Sequence, residues 1–122
     1  MPDAEKRYQK TYPISWEQLH RDARALSWRL LEIRKWQGII AITRGGLVPA
    51  AIIARELDIH RVDTVCVSSY TWQEQGAVEI LKPAAESGEG WLLLDDLVDT
   101  GKTAAVVREM VPDAHFATIY AK

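Results

Sequence analysis

Two short apolar runs, each ending in a glycine turn, constrain this chain more than any other feature. "IIAIT" at 39–43 is apolar almost throughout, rich in β-branched side chains, and runs into "RGG". "WLLLD" at 91–95 runs into a second aspartate and then, three residues on, into "DTGKT". A strand with one wet face alternates apolar and polar residues, whereas an unbroken apolar run reads as a strand covered on both faces, the mark of a parallel sheet between helices. The intervening segments supply those helices. Leu19, Ala23, Leu26, Leu30 and Ile33 recur at steps of four and three, one apolar helical stripe. Ser15 is placed to cap that helix, with Gln18 completing a capping box and Ile14 and Leu19 where a hydrophobic staple sits. Helices at 47–57 and 102–110, the latter stopped by Pro112, and strands at 62–67 and 115–120 complete the alternation. The segment "SSYTWQEQGAVEILKP" has no clear period and reads as a polar loop. The expected class is α/β, a mostly parallel twisted sheet flanked by helices. Residues 1–122 make one domain, with 1–12 a flexible N-terminal extension.

Composition narrows the partners. With 48% hydrophobic and 26% charged residues the chain can build an ordinary core. A net charge of −2 gives no general attraction for nucleic acid or an anionic membrane. The single cysteine, Cys66, lies in an apolar run, reads as a small buried hydrophobe, and forms no intrachain disulfide, so a reducing cytoplasm fits. The polar N-terminus has no apolar signal core, and nothing approaches the roughly 18 apolar residues of a membrane span. Trp16, Trp28 and Trp36 on or beside the first helix read as core or subunit packing; Trp72 is a large aromatic in the loop. His20, His60 and His115 have no metal-ligand spacing.

In a mostly parallel sheet, ligands bind beyond the carboxyl ends of the strands. Two loops qualify: Thr43-Arg44-Gly45-Gly46, and the loop from Asp95 to Thr103. The ending Gly101-Lys102-Thr103 invites a P-loop reading. That motif needs a glycine five positions earlier, and Asp96 stands there, where its charge would repel a triphosphate. The residues fit a smaller ligand. Backbone amides and hydroxyls of Thr100, Gly101, Lys102 and Thr103 at a helix start cradle one phosphate, and Gly101 permits the tight turn. Asp95 and Asp96 suit vicinal sugar hydroxyls, or Mg²⁺ through water. A phosphate cradle beside a diol clamp has the shape of a ribose 5-phosphate.

"LLLDDLVDTGKTA" resembles the phosphoribosyl-pyrophosphate (PRPP) motif of the type I phosphoribosyltransferase family. "GIIAITRGGLVPAAIIARELDI", "VDTVCVSSY", "REM" and "AHFATIYAK" extend the likeness from about residue 13 to the end and point to the 6-oxopurine branch. Members of that branch attach guanine, xanthine or hypoxanthine to PRPP and release pyrophosphate. The resemblance implies that Arg44 and Gly45 grip pyrophosphate, across a peptide often cis without proline. It implies that Asp95 and Asp96 hold the ribose hydroxyls and Mg²⁺, with Asp96 the metal residue. Leu97 and Val98 continue the PRPP motif, residues 99–103 hold the 5-phosphate, Asp99 is the general base beside the purine, and Lys122 contacts the purine O6. It further implies a homotetramer and, for some relatives, peripheral association with the inner membrane.

Two departures set expectations. The family's mobile loop carries an arginine that reaches PRPP; the matching position is Gly76, "TWQEQGAVEI" holds no cation, and Lys82 is the nearest one. The family also continues past the position of Lys122 into a hood with an aromatic residue stacked on the purine. A chain ending at Lys122 is therefore expected to bind PRPP–Mg²⁺ but to transfer little purine. These departures motivate an alternative, a non-catalytic PRPP or nucleotide sensor on the same fold.

Overall fold

The computed structural model describes residues 13–70, 77–85, 88–98 and 101–121. The N-terminal extension expected at 1–12 lies outside them, as do Trp72, Gly76, Asp99, Thr100 and Lys122.

In chain order the elements are α1 (Trp16–Ile33), β1 (Gly38–Thr43), α2 (Leu47–Glu56), β2 (Val62–Tyr70), β3 (Ala77–Lys82), β4 (Trp91–Val98), α3 (Lys102–Met110) and β5 (His115–Ala121). One five-stranded sheet has the order β3-β2-β1-β4-β5. β1 pairs in parallel with β2 and β4, and β4 with β5; only β2–β3 is antiparallel.

The two apolar runs become the central strands, and successive residues feed two cores. Ile39, Ala41, Leu92 and Leu94 face one cluster, with Ala23 and Leu30 of α1 and Ala50 and Ile53 of α2. Ile40, Ile42 and Leu93 face the other, with Val65 and with Val107 of α3. Strand side chains alternate faces, so an unbroken apolar run satisfies both layers at once. Helix α1 begins as the sequence indicates: the Gln18 amide donates to Ser15 Oγ at 3.1 Å. Near its other end the Trp36 indole donates to the Leu30 carbonyl at 3.0 Å, which lets this large residue be buried without an orphaned donor.

Two readings need correction. The segment after Ser68 is not all loop: β2 runs on to Tyr70, and β3 pairs back along it from Ala77 to Lys82, with a register shift at Cys66/Val67. The polar residues of that stretch hid an edge strand, which needs a partner on one side only. Cys66 is half-buried rather than buried. Of the two roles open to the N-terminal tryptophans, Trp36 takes the core one, and Trp16 and Trp28, 74% and 58% exposed, are left to the other, subunit packing.

Candidate active site

The sheet order places the site. From β1 the chain leaves through α2 to β2 on one side; from β4 it leaves through α3 to β5 on the other. The carboxyl ends of β1 and β4 thus flank a topological switch point, where a crevice opens.

At the end of β1 the Thr43–Arg44 peptide is cis, as the family resemblance implies. Thr43 Oγ1 donates to the Val65 carbonyl at 3.2 Å, tying this corner to β2. The chain then turns sharply, with the Gly46 amide donating to the Ile42 carbonyl at 2.8 Å and the Leu47 amide to the Arg44 carbonyl at 3.0 Å. Both glycines are dictated by close approach. A Cβ on Gly46 would lie 2.5 Å from the Leu94 carbonyl oxygen, and one on Gly45 would lie 2.8 Å from Cγ of Asp96. The second contact joins the two predicted halves of the site, since the Gly45 backbone rests against the Asp96 carboxylate.

β4 runs on through both aspartates to Val98. The strand read from the sequence as ending at Asp95 therefore carries Asp95, Asp96, Leu97 and Val98 on a regular ladder, with Asp95 opposite Thr118 and Leu97 opposite Tyr120. A ladder places carboxylates more precisely than a free loop does. The Asp96 amide donates to Asp95 Oδ1 at 2.9 Å. Burial raises the Asp95 carboxyl to about 6, and its side-chain contact with Asp96 and that neighbour's charge add to the rise, although the Asp96 amide opposes it. Two adjacent carboxylates, one half-desolvated, form a site short of positive charge.

Gly101 opens α3 with φ 83°, the left-handed conformation that glycine adopts without penalty, and a Cβ there would meet nothing within 4 Å. The space above this turn is open. The N-cap positions of α2 and α3 are glycines, Gly46 and Gly101, which carry no capping side chain, in contrast to Ser15 on α1. Lys102 and Thr103 lie in the first turn of α3.

The β1–α2 turn and the end of β4 line a cleft of about 1180 Å³, which, among the described residues, the start of α3 does not border. Arg44, Gly45, Asp96 and Leu97 form one side, together with Val48 and Pro49 of α2. The other side, which the sequence did not suggest, is the start of α1, from Pro13 to Leu19, with Tyr120 and Ala121 at the end of β5. The staple pair Ile14 and Leu19 both belong to this wall. The parity of β5 against β4 could have marked Tyr120, but nothing local marks α1.

Lys82 does not serve the site. Its ammonium donates to the carbonyls of Thr64 at 2.6 Å and Pro83 at 3.1 Å and to Asp63 at 3.3 Å, turned back toward the start of β2. It therefore does not stand in for the loop arginine.

Asp95 and Asp96 fit a magnesium ion. They are adjacent hard oxygen donors, and burial together with the neighbouring carboxylate raises the proton affinity of Asp95, which a bound cation would offset. Among the described residues no group of three or more His, Cys, Asp or Glu could form a complete cage. Mg²⁺ needs no such cage, since it is held by one or two carboxylates plus substrate oxygens and water.

A phosphoribosyl transferase domain model matches residues 15–115. The xanthine-guanine phosphoribosyltransferase of Nitratidesulfovibrio vulgaris (strain DP4) is 68% identical over 117 residues, 95% of this chain and 72% of the relative. That of Desulfotalea psychrophila is 67% identical over 116 residues, 94% and 72% of the two chains. Among solved structures, a purine phosphoribosyltransferase from Pyrococcus horikoshii superposes with a TM-score of 0.73 at 32% identity, covering 86% of this chain and 72% of that one. A Helicobacter pylori xanthine-guanine-hypoxanthine phosphoribosyltransferase gives 0.71 at 21% identity, over 88% and 76%, a likeness of fold.

Proposed function

The chain belongs to the phosphoribosyltransferase family, and from that premise we propose that it transfers the 5-phosphoribosyl group of PRPP to guanine, xanthine or hypoxanthine, in purine salvage. The observation that carries the site assignment is the seat of Gly45 on the Asp96 carboxylate, which brings a pyrophosphate grip and a ribose clamp to one crevice. Nothing in the comparisons supports the sensor reading.

In this mechanism Arg44 and the Gly45 amide bind the pyrophosphate of PRPP, and Asp95 and Asp96 accept hydrogen bonds from the ribose hydroxyls. The amides and hydroxyls of residues 99–103, which continue the motif begun by Leu97 and Val98, hold the 5-phosphate. Holding the sugar at both ends restricts its motion relative to the base, an orientation effect. Departure of pyrophosphate leaves an oxocarbenium-like carbon, as in glycoside cleavage. Arg44 stabilises the charge growing on the leaving group. Asp99 accepts the proton that the purine loses, and Lys122 donates to its O6. Asp96, with Asp95 beside it, is the residue to hold Mg²⁺, which supplies charge neutralisation of the pyrophosphate when bound.

The homotetramer belongs to the same reading. Trp28, Leu31 and Ile33 of α1 are 58, 60 and 55% exposed, apolar area that an assembly would cover, and sedimentation velocity measures it. The unpaired Cys66 supports a cytoplasmic location. Among the described residues no helix is long and apolar enough to cross a membrane.

Calorimetry with PRPP–Mg²⁺, followed by a transfer assay with each of the three bases, tests the proposal. Saturable PRPP binding that weakens when Mg²⁺ is withdrawn is the expected result. Absence of PRPP binding in the folded protein would overturn it.

A further inference from the structure

The cleft wall built from α1 and β5 is held by one bond between side chains far apart in sequence. The Tyr120 hydroxyl donates to Asp22 Oδ2 at 2.6 Å, a short hydrogen bond of the charge-assisted kind. Asp22 stands three and four residues after Leu19 and Gln18, so it lies on the helix face that carries those two cleft residues. Tyr120 itself lines the cleft, opposite Leu97 in the β4–β5 ladder. β5 is the outermost strand, so its last residues are paired by β4 alone, at Leu97–Tyr120 and Val98–Ala121. The other fastenings of this layer lie farther down: Trp36 stacks on His115 at the start of β5 with ring centroids 5.3 Å apart, and Arg24 pairs with Glu56 of α2 at 3.1 Å. Burial raises the phenol to about 12, and Asp22 adds to the rise, so it remains a protonated donor at neutral pH.

We propose that Tyr120 and Asp22 are a positioning pair for the purine: their hydrogen bond pins the open edge of β5 to α1 and so fixes the base end of the cleft. The inference rests on the phosphoribosyl-transfer reading and extends it to residues that touch neither the sugar nor the pyrophosphate. Asp95 and Asp96 sit on β4, which meets the pair at the Leu97–Tyr120 rung but is also paired with β1 along its other edge from Trp91 to Leu94, and Arg44 sits on the β1–α2 turn. On this proposal loss of the bond loosens the free edge of β5 and acts on base binding, while β4 keeps its pairing with β1.

The test uses four variants: Tyr120→Phe, Asp22→Ala, the double variant and Asp22→Asn. Tyr120→Phe and Asp22→Ala are each expected to raise KM for the base roughly 5–30-fold, the scale of one hydrogen bond to a charged group. kcat and the PRPP dissociation constant should stay within about twofold, since ground-state base binding alone is lost. The double variant should be no worse than either single, because the two side chains act as one unit. Asp22→Asn keeps an acceptor for the phenol and should restore most of the affinity. Unchanged KM for the base, additive effects, or an equal loss of PRPP affinity would each overturn the proposal. Hydrogen exchange at 118–121 separates its failure from failure of the transfer reading. If wild-type protein does not bind PRPP, the transfer reading falls. Faster exchange in Tyr120→Phe then still supports the tether, and unchanged exchange removes it.

Discussion

Two carboxylate corners of the same sheet have opposite fates. Asp63, at the start of β2, accepts from the Ala85 amide at 2.7 Å, the Thr64 amide at 2.8 Å and the Lys82 ammonium at 3.3 Å. Burial by itself would raise its pKa, but these donors together outweigh it and hold the carboxyl below its ordinary range. Asp95, near the end of β4, has one amide donor and a second carboxylate beside it, and it is pushed up to about 6. One corner is a finished ion cluster that closes the sheet edge. The other is left short of positive charge at the crevice. A charge deficit costs stability in the free protein and becomes an attraction once a cation and a polyol arrive.

The largest expected effect follows from removing Asp99, the proposed general base. Asp99→Asn should keep the fold and PRPP binding but lower turnover by about 10²-fold or more, the scale of one positioned acid–base group. Steady-state kinetics decides this, and turnover within a factor of two of wild type would remove Asp99 from its role.

Next in size are the grips on PRPP. Arg44→Ala should weaken PRPP binding by about 10- to 100-fold, from the loss of charged hydrogen bonds. Gly45→Ala should weaken it too, because the added methyl is driven into the Asp96 carboxylate. Calorimetry on both variants would break the comparison if Gly45→Ala bound PRPP like wild type.

A smaller effect tests the charge deficit itself. The folded-state pKa of Asp95 lies above its ordinary value of 3.8, so its contribution to stability is fully present below about 3.8 and is lost as pH rises through about 6. Because Asp95 is only half-buried, solvent screening discounts the full shift, and ligand-free protein should lose on the order of 1 kcal/mol at Asp95 between pH 4 and pH 8. Asp95→Asn should remove that slope, raise the melting temperature at pH 8, and weaken PRPP binding. Thermal melts across pH without ligand measure it. A variant less stable than wild type at pH 8 would contradict the proposed deficit.

The smallest effect belongs to the finished corner, where the sign is reversed. The pKa of Asp63 is lowered, so its stabilisation is present above the ordinary carboxylate range and fades as pH falls through the folded pKa. Lys82→Met should cost about 0.5–1 kcal/mol at neutral pH, a small figure because the lysine side chain is half exposed. Catalysis should be unchanged. A fall in kcat would place Lys82 in the site after all.

The contrast also marks what was legible beforehand. The apolar runs at 39–43 and 91–95 disclosed buried parallel strands because burial on both faces removes the alternation that a half-wet strand shows. The string from Asp95 to Thr103 motivates the proposed ribose-phosphate site because it combines acceptors, a glycine turn and a helix start in one short piece of chain. β3 was not legible. Its stability comes from hydrogen bonds to β2, which any residue can make, and an edge strand has little burial to write into its sequence. The fate of Lys82 was also hidden, since its distance along the chain from the site gave no hint that Thr64 and Asp63 would claim it.

By itself the sequence determined the layers of the sheet, the Ser15 cap and the glycine turn that opens α3, because each depends on neighbours within a few residues. Only the tertiary structure decided that Gly45 seats on Asp96, that α1 walls the cleft, and that Tyr120 reaches Asp22. Those are meetings between segments that the chain separates widely. They are set by strand order and register, which propensity and spacing do not encode.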